Sequence, residues 1–274
     1  MALASLMLLL VSLYGLVTDP FSDYKNKFRL APAKEMYEAL DRSYARDGWS
    51  ESFVAEFIKR FRMSMNYEWP ADVQYMPIQE NWILFSLRSA DPFISEHLLR
   101  YKDARLFGNV ELPTYELAMQ RGFGICSQLS LAGADLLHSR YGIDARVAGL
   151  NGHVVIQVID TKSGDWVIDP SFKTYAKGSV NRPEDLPVRF FDGNNNIRSL
   201  YFDSNSNYVS SQSGWGEYSH RSGTKQKLFF NFVLLSYYLK WLLPLSILLV
   251  YGLACIRSAK STGRILHKPA MAEI

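Results

Sequence analysis

Cysteine is nearly absent from this chain: its 274 residues hold two, Cys126 and Cys255. Two thiols permit at most one internal disulfide and cannot build a four-sulfur metal site. His97, His138 and His220 stand at no metal-ligand spacing from one another or from carboxylates, and no loop of spaced acids suits calcium. Neither a glycine-rich phosphate loop with its lysine nor a dinucleotide fingerprint occurs. No metal and no cofactor are therefore expected. A charge surplus is missing as well. Four of the 30 Lys and Arg (Arg257, Lys260, Arg264, Lys268) and one of the 27 acids (Glu273) lie in residues 257–274. Residues 1–256 are thus neutral, and the net +3 belongs to the tail. A nucleic-acid enzyme normally presents a basic face, so nucleic acid is not expected as a partner.

Long apolar runs, by contrast, are present at both ends. Residues 2–17 (ALASLMLLLVSLYGLV) carry no charge and read as a signal anchor or signal peptide. No Lys or Arg precedes Lys25, and Leu16-Val17-Thr18 is a poor cleavage site, which favours an uncleaved anchor. Residues 237–256 (YYLKWLLPLSILLVYGLACI) have the length and composition of a membrane span. Tyr237, Tyr238 and Trp241 sit where an aromatic belt would lie, and Pro244 falls in the first turns, where a helix tolerates it best. The basic tail, residues 257–274, is expected in the cytoplasm by the positive-inside rule. The intervening chain then lies outside, which in a bacterium is the periplasm. Because Cys255 falls in the span, Cys126 is a lone thiol, either core filler or nucleophile.

Between the ends, residues 18–113 read as a helical N-terminal region. Residues 18–30 form a polar connector. A helix runs from Pro32 to about Arg46, and a second, capped by Ser50, runs to Arg62 with Phe53, Phe57, Ile58 and Phe61 on one side. Asn66 to Ile78 reads as a loop, and helices are expected from about Gln79 to Ser89 and from Pro92 to Tyr101. Residues 114–202 differ in character. A helical turn from Thr114 to Gln120 leads to Gly122-Phe-Gly124-Ile-Cys126, a helix ended by Gly142, a strand over 144–150, an Asn151-Gly152 turn, a strand from His153 and another from Trp166. That order gives an α+β core with antiparallel pairing. Residues 203–227, rich in Ser, Asn and Gly, read as a polar tether.

Cys126 opens the core helix, where the partial positive charge and unpaired N–H groups favour a thiolate and point to where an oxyanion would form. His153 opens the strand that returns beside that helix, and Asp169 closes the next. If the hairpin pairs residues of even sum, His153 and Asp169 project from one face, the disposition of a base and its orienter. Trp82, Gln128 and the backbone N–H of Cys126 itself are candidate oxyanion donors.

Taken together, Gly124-Ile-Cys126, the helix, Gly142-Ile-Asp-Ala-Arg-Val, Gly152-His153-Val-Val-Ile-Gln-Val and Trp166-Val-Ile-Asp169-Pro170 resemble the core of the transglutaminase-like superfamily over about residues 115–175. The resemblance implies a papain-like fold, with Cys126 as nucleophile, His153 as base and Asp169 as orienting acid, and offers Gln120, six residues before Cys126 at the spacing papain-like proteases use, as a further candidate oxyanion donor. One departure is Val154-Val155 after His153, where many members have a small residue and an aromatic. It further implies a thiol-dependent amidase, peptidase or acyltransferase, with hydrolysis favoured, acting on a protein, peptide or glycopeptide at the membrane. A catalytically inactive binding module and an envelope assembly scaffold are the alternatives.

Overall fold

The computed structural model describes residues 1–67, 77–93, 111–160, 162–191, 195–202, 207–210 and 223–265. In chain order the first elements are α1 (Ala2–Val17), α2 (Ser22–Phe28), α3 (Ala33–Asp47), α4 (Glu51–Ser64), β1 (Asn66–Tyr67), α5 (Trp82–Phe93), α6 (Tyr115–Arg121) and β2 (Phe123–Gly124). There follow α7 (Cys126–Tyr141), β3 (Ala145–Leu150), β4 (His153–Val158), β5 (Trp166–Asp169), β6 (Thr174–Lys177), α8 (Asn195–Phe202), β7 (Tyr208–Val209) and α9 (Gly223–Ile265). The fold is α+β, with helices and an antiparallel sheet. The chain forms two compact units, one of residues 21–74 and 109–234 and the other of 1–20, 75–108 and 235–274.

The larger unit is built on an antiparallel sheet of order β6-β5-β4-β3-β7. Val and Ile dominate β4, a composition suited to a strand covered on both faces, and every residue of β4 and β5 is buried. Helix α7 crosses one face. Its Gly133 permits close approach, since a Cβ there would lie 2.6 Å from Ile156 Cδ1 and 3.4 Å from Phe57 Cζ. Ser130 Oγ donates to the Val154 carbonyl at 2.9 Å, pinning the helix to β4. Helices α3 and α4 cover α7 in turn: Phe53, Phe57 and Phe61 are fully buried, and Phe53 and Tyr44 both meet the Tyr141 ring. This double coverage explains why α7, buried from Ser127 to Leu137, lacks the charged face of an ordinary surface helix. The opposite sheet face, with Leu150, Val155 and Val167, packs against Phe190, Phe191, Ile197 and Tyr201.

Several expectations are met closely. Ser50 Oγ accepts from Phe53 N at 3.3 Å and starts α4, Thr114 caps α6, and Gly142 ends α7 at φ +67°. Others are corrected. Residues 18–30 are not simply a polar connector: Phe21, at the N-cap of α2, and Tyr24 and Phe28 within it are three and four apart, and Phe21 and Tyr24 pack their rings on Phe123 at 5.4 and 4.6 Å. Of the loop expected from Asn66 to Ile78 only residues 66–67 and 77–78 are described, and Asn66–Tyr67 pairs in parallel with β2. Part of the expected tether is ordered sheet. Tyr208 and Val209 pair with Gly149 and Ala148, filling the otherwise open edge of β3. Of the helix expected from Pro92 to Tyr101, Pro92 and Phe93 end α5, and the remainder lies outside the described residues.

In the smaller unit, α1, the start of α5 and the latter part of α9 come together. A Cβ on Gly15 would fall 2.0 Å from the Gln79 carbonyl oxygen, so only glycine allows that approach. Asn81 Nδ2 donates to Ser236 Oγ at 2.8 Å, Tyr237 Oη to Glu80 Oε1 at 2.8 Å and Lys240 Nζ to the Glu80 carbonyl at 2.7 Å. Helix α9 begins well before the expected span, so Pro244 is in its interior and not in its first turns. Proline there leaves the carbonyl four residues back without its helical donor, and that carbonyl, of Lys240, accepts from Trp82 Nε1 at 3.1 Å. Two stretches, Ala2–Phe28 and Leu228–Ala259, are long and apolar enough to cross a membrane. The first reaches that length only by counting α2. Helix α1 alone has 16 residues, about 24 Å against a hydrocarbon core of about 30 Å.

Candidate active site

The site is assembled at the ends of three elements of the larger unit. Cys126 is the first residue of α7 and is half-buried. No side chain caps that helix: Ile125 occupies the capping position, and the first intrahelical bond runs from Leu129 N to the Ile125 carbonyl. The N–H groups of Cys126, Ser127 and Gln128 precede that first bond and are without partners within the helix. Gly124 keeps the approach narrow, since a Cβ there would lie 2.6 Å from both Cβ and Cγ of Gln128.

His153 enters from the β3–β4 turn. Leu150 pairs with His153 across the two-residue connection Asn151-Gly152, with Gly152 at φ +76°. The β4–β5 ladder pairs Ile156 with Ile168, Gln157 with Val167 and Val158 with Trp166. This even-sum register places His153, Val155 and Asp169 on one face. His153 Nε2 is 2.8 Å from Asp169 Oδ2, with the histidine 3% and the aspartate 0% exposed. Cys126 lies close enough for its side chain and charge to favour the protonated imidazole. With Nε2 held by Asp169, Nδ1 is the ring nitrogen available to the thiol.

Asp169 is fixed in turn. Its Oδ1 accepts from Ser171 N at 3.1 Å and Phe172 N at 3.3 Å, in the manner of an aspartate turn, and its Oδ2 also accepts from Tyr201 Oη at 3.0 Å. Burial alone would lower the His153 pKa, but the hydrogen bonds and negative charges of Asp169 and Cys126 outweigh it and hold the group up at about 9. The site is walled by aromatics. The Phe172 ring lies 5.2 Å from that of His153 and 6.4 Å from that of Tyr67. Tyr67 is 41% exposed, and its hydroxyl is pushed above the ordinary phenol range by burial and then by the charges of Cys126 and Asp169.

No family model, curated protein or solved structure matches this chain.

What the site can do follows from its own atoms. A thiol at an open helix N-terminus, an imidazole in contact with it and a buried carboxylate behind that imidazole are the parts needed to form and discharge a thioester. Among the described residues no group of three or more His, Cys, Asp or Glu could hold a metal ion. Of the side chains weighed as oxyanion donors, Gln128 is engaged elsewhere: its amide brackets Leu112, donating to the carbonyl at 3.0 Å and accepting from the N–H at 2.5 Å. Trp82 is spent on the Lys240 carbonyl. Gln120 stands exposed on α6.

Sequence reasoning did not single out Tyr201, Tyr67, Phe172 or Arg62. Arg62, on α4, donates from Nη1 to the Met65 carbonyl at 2.9 Å and feels the charge of Asp169, while burial lowers its pKa. Only Phe172 had a local signal, because Asp169-Pro170-Ser171 announces a side-chain-closed turn. Tyr201 is 32 residues beyond Asp169 on a short helix with no motif.

Proposed function

We propose that this chain is a membrane-anchored thiol enzyme of the transglutaminase-like kind, which opens amide bonds through a thioester on Cys126. The observation that carries the reading is the continuous chain from the open N-terminus of α7 through Cys126 and His153 to Asp169, the last link 2.8 Å long. In the first half-reaction Cys126 Sγ, as thiolate, attacks the carbonyl carbon of a carboxamide or peptide. The carbonyl oxygen becomes an oxyanion, stabilised by the N–H groups of the first turn of α7 that have no partner within the helix. Collapse breaks the C–N bond, and the imidazolium of His153 passes its proton to the departing amine. In the second half-reaction His153, now neutral, takes a proton from water, the hydroxyl adds to the thioester carbon, and the acid and thiolate are released. Water is favoured over a second amine as acceptor.

The papain-like arrangement of this core belongs to the same proposal, as does a protein, peptide or glycopeptide substrate. So does placement. The apolar part of α9 would cross the membrane with Arg257, Lys260, Arg264 and Lys268 on the cytoplasmic side, leaving the Cys126 site outside, in the periplasm of a bacterium. The exposed Leu242, Leu245, Leu249, Val250 and Leu253 on that helix support contact with lipid. The test is acylation of the full-length protein in detergent with p-nitrophenyl acetate. A burst of nitrophenol with an acetyl group recovered on Cys126, both lost in Cys126→Ser, is expected. Release that is equal in the two proteins would refute the thioester.

A further inference from the structure

Four donors converge on the carboxylate of Asp169, two on each oxygen. An ionised carboxylate has about four lone-pair sites, so this one is saturated. The two donors on Oδ1 are backbone N–H groups of the adjoining turn and would be supplied by almost any sequence. Tyr201 is different in kind. It arrives from α8, is fully buried, and is held edge-on by Phe190 and Phe191 at 5.3 and 5.5 Å between ring centres. Phenylalanine would fill the same apolar space. The hydroxyl instead goes to Oδ2, the oxygen that His153 also uses.

We propose that Tyr201 is a positioning residue whose hydroxyl shares Oδ2 with His153, fixing the carboxylate and moderating its pull on the imidazole proton. The proposal rests on the function given above, in which the imidazolium must release its proton to the leaving amine. A donor on Oδ2 withdraws charge from that oxygen, so the Nε2–H bond competes for a weaker acceptor. Without the hydroxyl the carboxylate would hold the imidazolium more firmly, and His153 would titrate at higher pH. The phenol remains a donor throughout, because burial and then the charge of Asp169 push its ionisation well above the ordinary range. The other titratable or charged groups at the pair, Cys126 from α7, Arg62 from α4 and Tyr67 from β1, are unchanged by a substitution at Tyr201.

The experiment is nuclear magnetic resonance on the full chain in detergent micelles, labelled with nitrogen-15 histidine. The sequence has five histidines, and His153→Asn identifies the resonance of interest. In Tyr201→Phe the Nε2 proton should move downfield and the His153 titration midpoint should rise by roughly half a unit. 3-Fluorotyrosine incorporated at position 201 is a stronger donor and should shift both in the opposite sense. If Tyr201→Phe fails to fold, the fluorotyrosine protein, which keeps ring and hydroxyl, decides alone. No shift, or shifts of the same sign in the two proteins, would overturn the proposal, since a purely structural tyrosine predicts neither pattern. Acetylation of Cys126 in the wild type is read separately. Opposite shifts without acetylation would retain the role of Tyr201 in the pair and reject the enzyme.

Discussion

The indole N–H of Trp82 donates to the carbonyl of Lys240, the carbonyl that Pro244 deprives of its helical donor. A mid-helix proline is ordinarily costly because it leaves an acceptor unpaired and crowds the preceding turn. Here a side chain from another helix supplies the missing bond.

That relationship predicts a specific non-additivity. Trp82→Phe should lower stability in detergent by about 1 kcal/mol beyond the loss of indole contacts, the scale of one buried hydrogen bond. Pro244→Ala returns the backbone donor, so the same Trp82→Phe change should cost less in that background. Thermal melts of the four proteins of the cycle measure the coupling. Equal costs in both backgrounds would mean that Trp82 only fills space.

The raised pKa of His153 predicts the pH dependence of stability. A group raised from 6.5 to about 9 on folding contributes stabilisation that is fully present below pH 6.5 and is lost as the pH climbs through about 9. Relative to His153→Asn, the wild type should lose on the order of 3 kcal/mol across that window. Denaturant titrations at intervals of one pH unit check it. An advantage of the wild type that grew with pH would have the wrong sign.

Gly124 predicts a steric dependence of the site. The Cβ of alanine would meet Gln128 Cβ, fixed to the helix, and Gln128 is itself pinned at both amide atoms by Leu112. Gly124→Ala should cost about 1–3 kcal/mol, as overpacking does, and should displace the first turn of α7. Its signature is a lower denaturant midpoint together with slower alkylation of Cys126. Slower alkylation is needed for the claim, because destabilisation alone would also follow from damage remote from the thiol.

How much of this was legible in the sequence depended on whether the signal was local. Ser50, Thr114 and Gly142 mark helix ends through bonds to their own neighbours, so their positions could be read directly. The strand from His153 was equally plain from its run of Val and Ile. The face shared by His153 and Asp169 required the register, which the sequence left open: the connection between Val158 and Trp166 is seven residues long, and its odd length brings the two side chains to one face. The second donor to Asp169 Oδ2 was not legible at all, since Tyr201 meets it through tertiary packing. Residues 207–210 misled for a related reason. Their Asn and Ser content suits a linker, and only the open edge of β3 makes a strand of Tyr208 and Val209.

The central claim is that Cys126 and His153 form a thiolate–imidazolium pair, and alkylation tests it most directly. Full-length protein and its His153→Ala variant are treated with iodoacetamide from pH 4 to 9, and labelling of Cys126 is followed by mass spectrometry. The pair predicts rapid labelling below about pH 7 that is lost in the variant. Labelling that rises only near pH 8.5, as for an ordinary thiol, and is indifferent to His153 would contradict it and leave the domain a binding module.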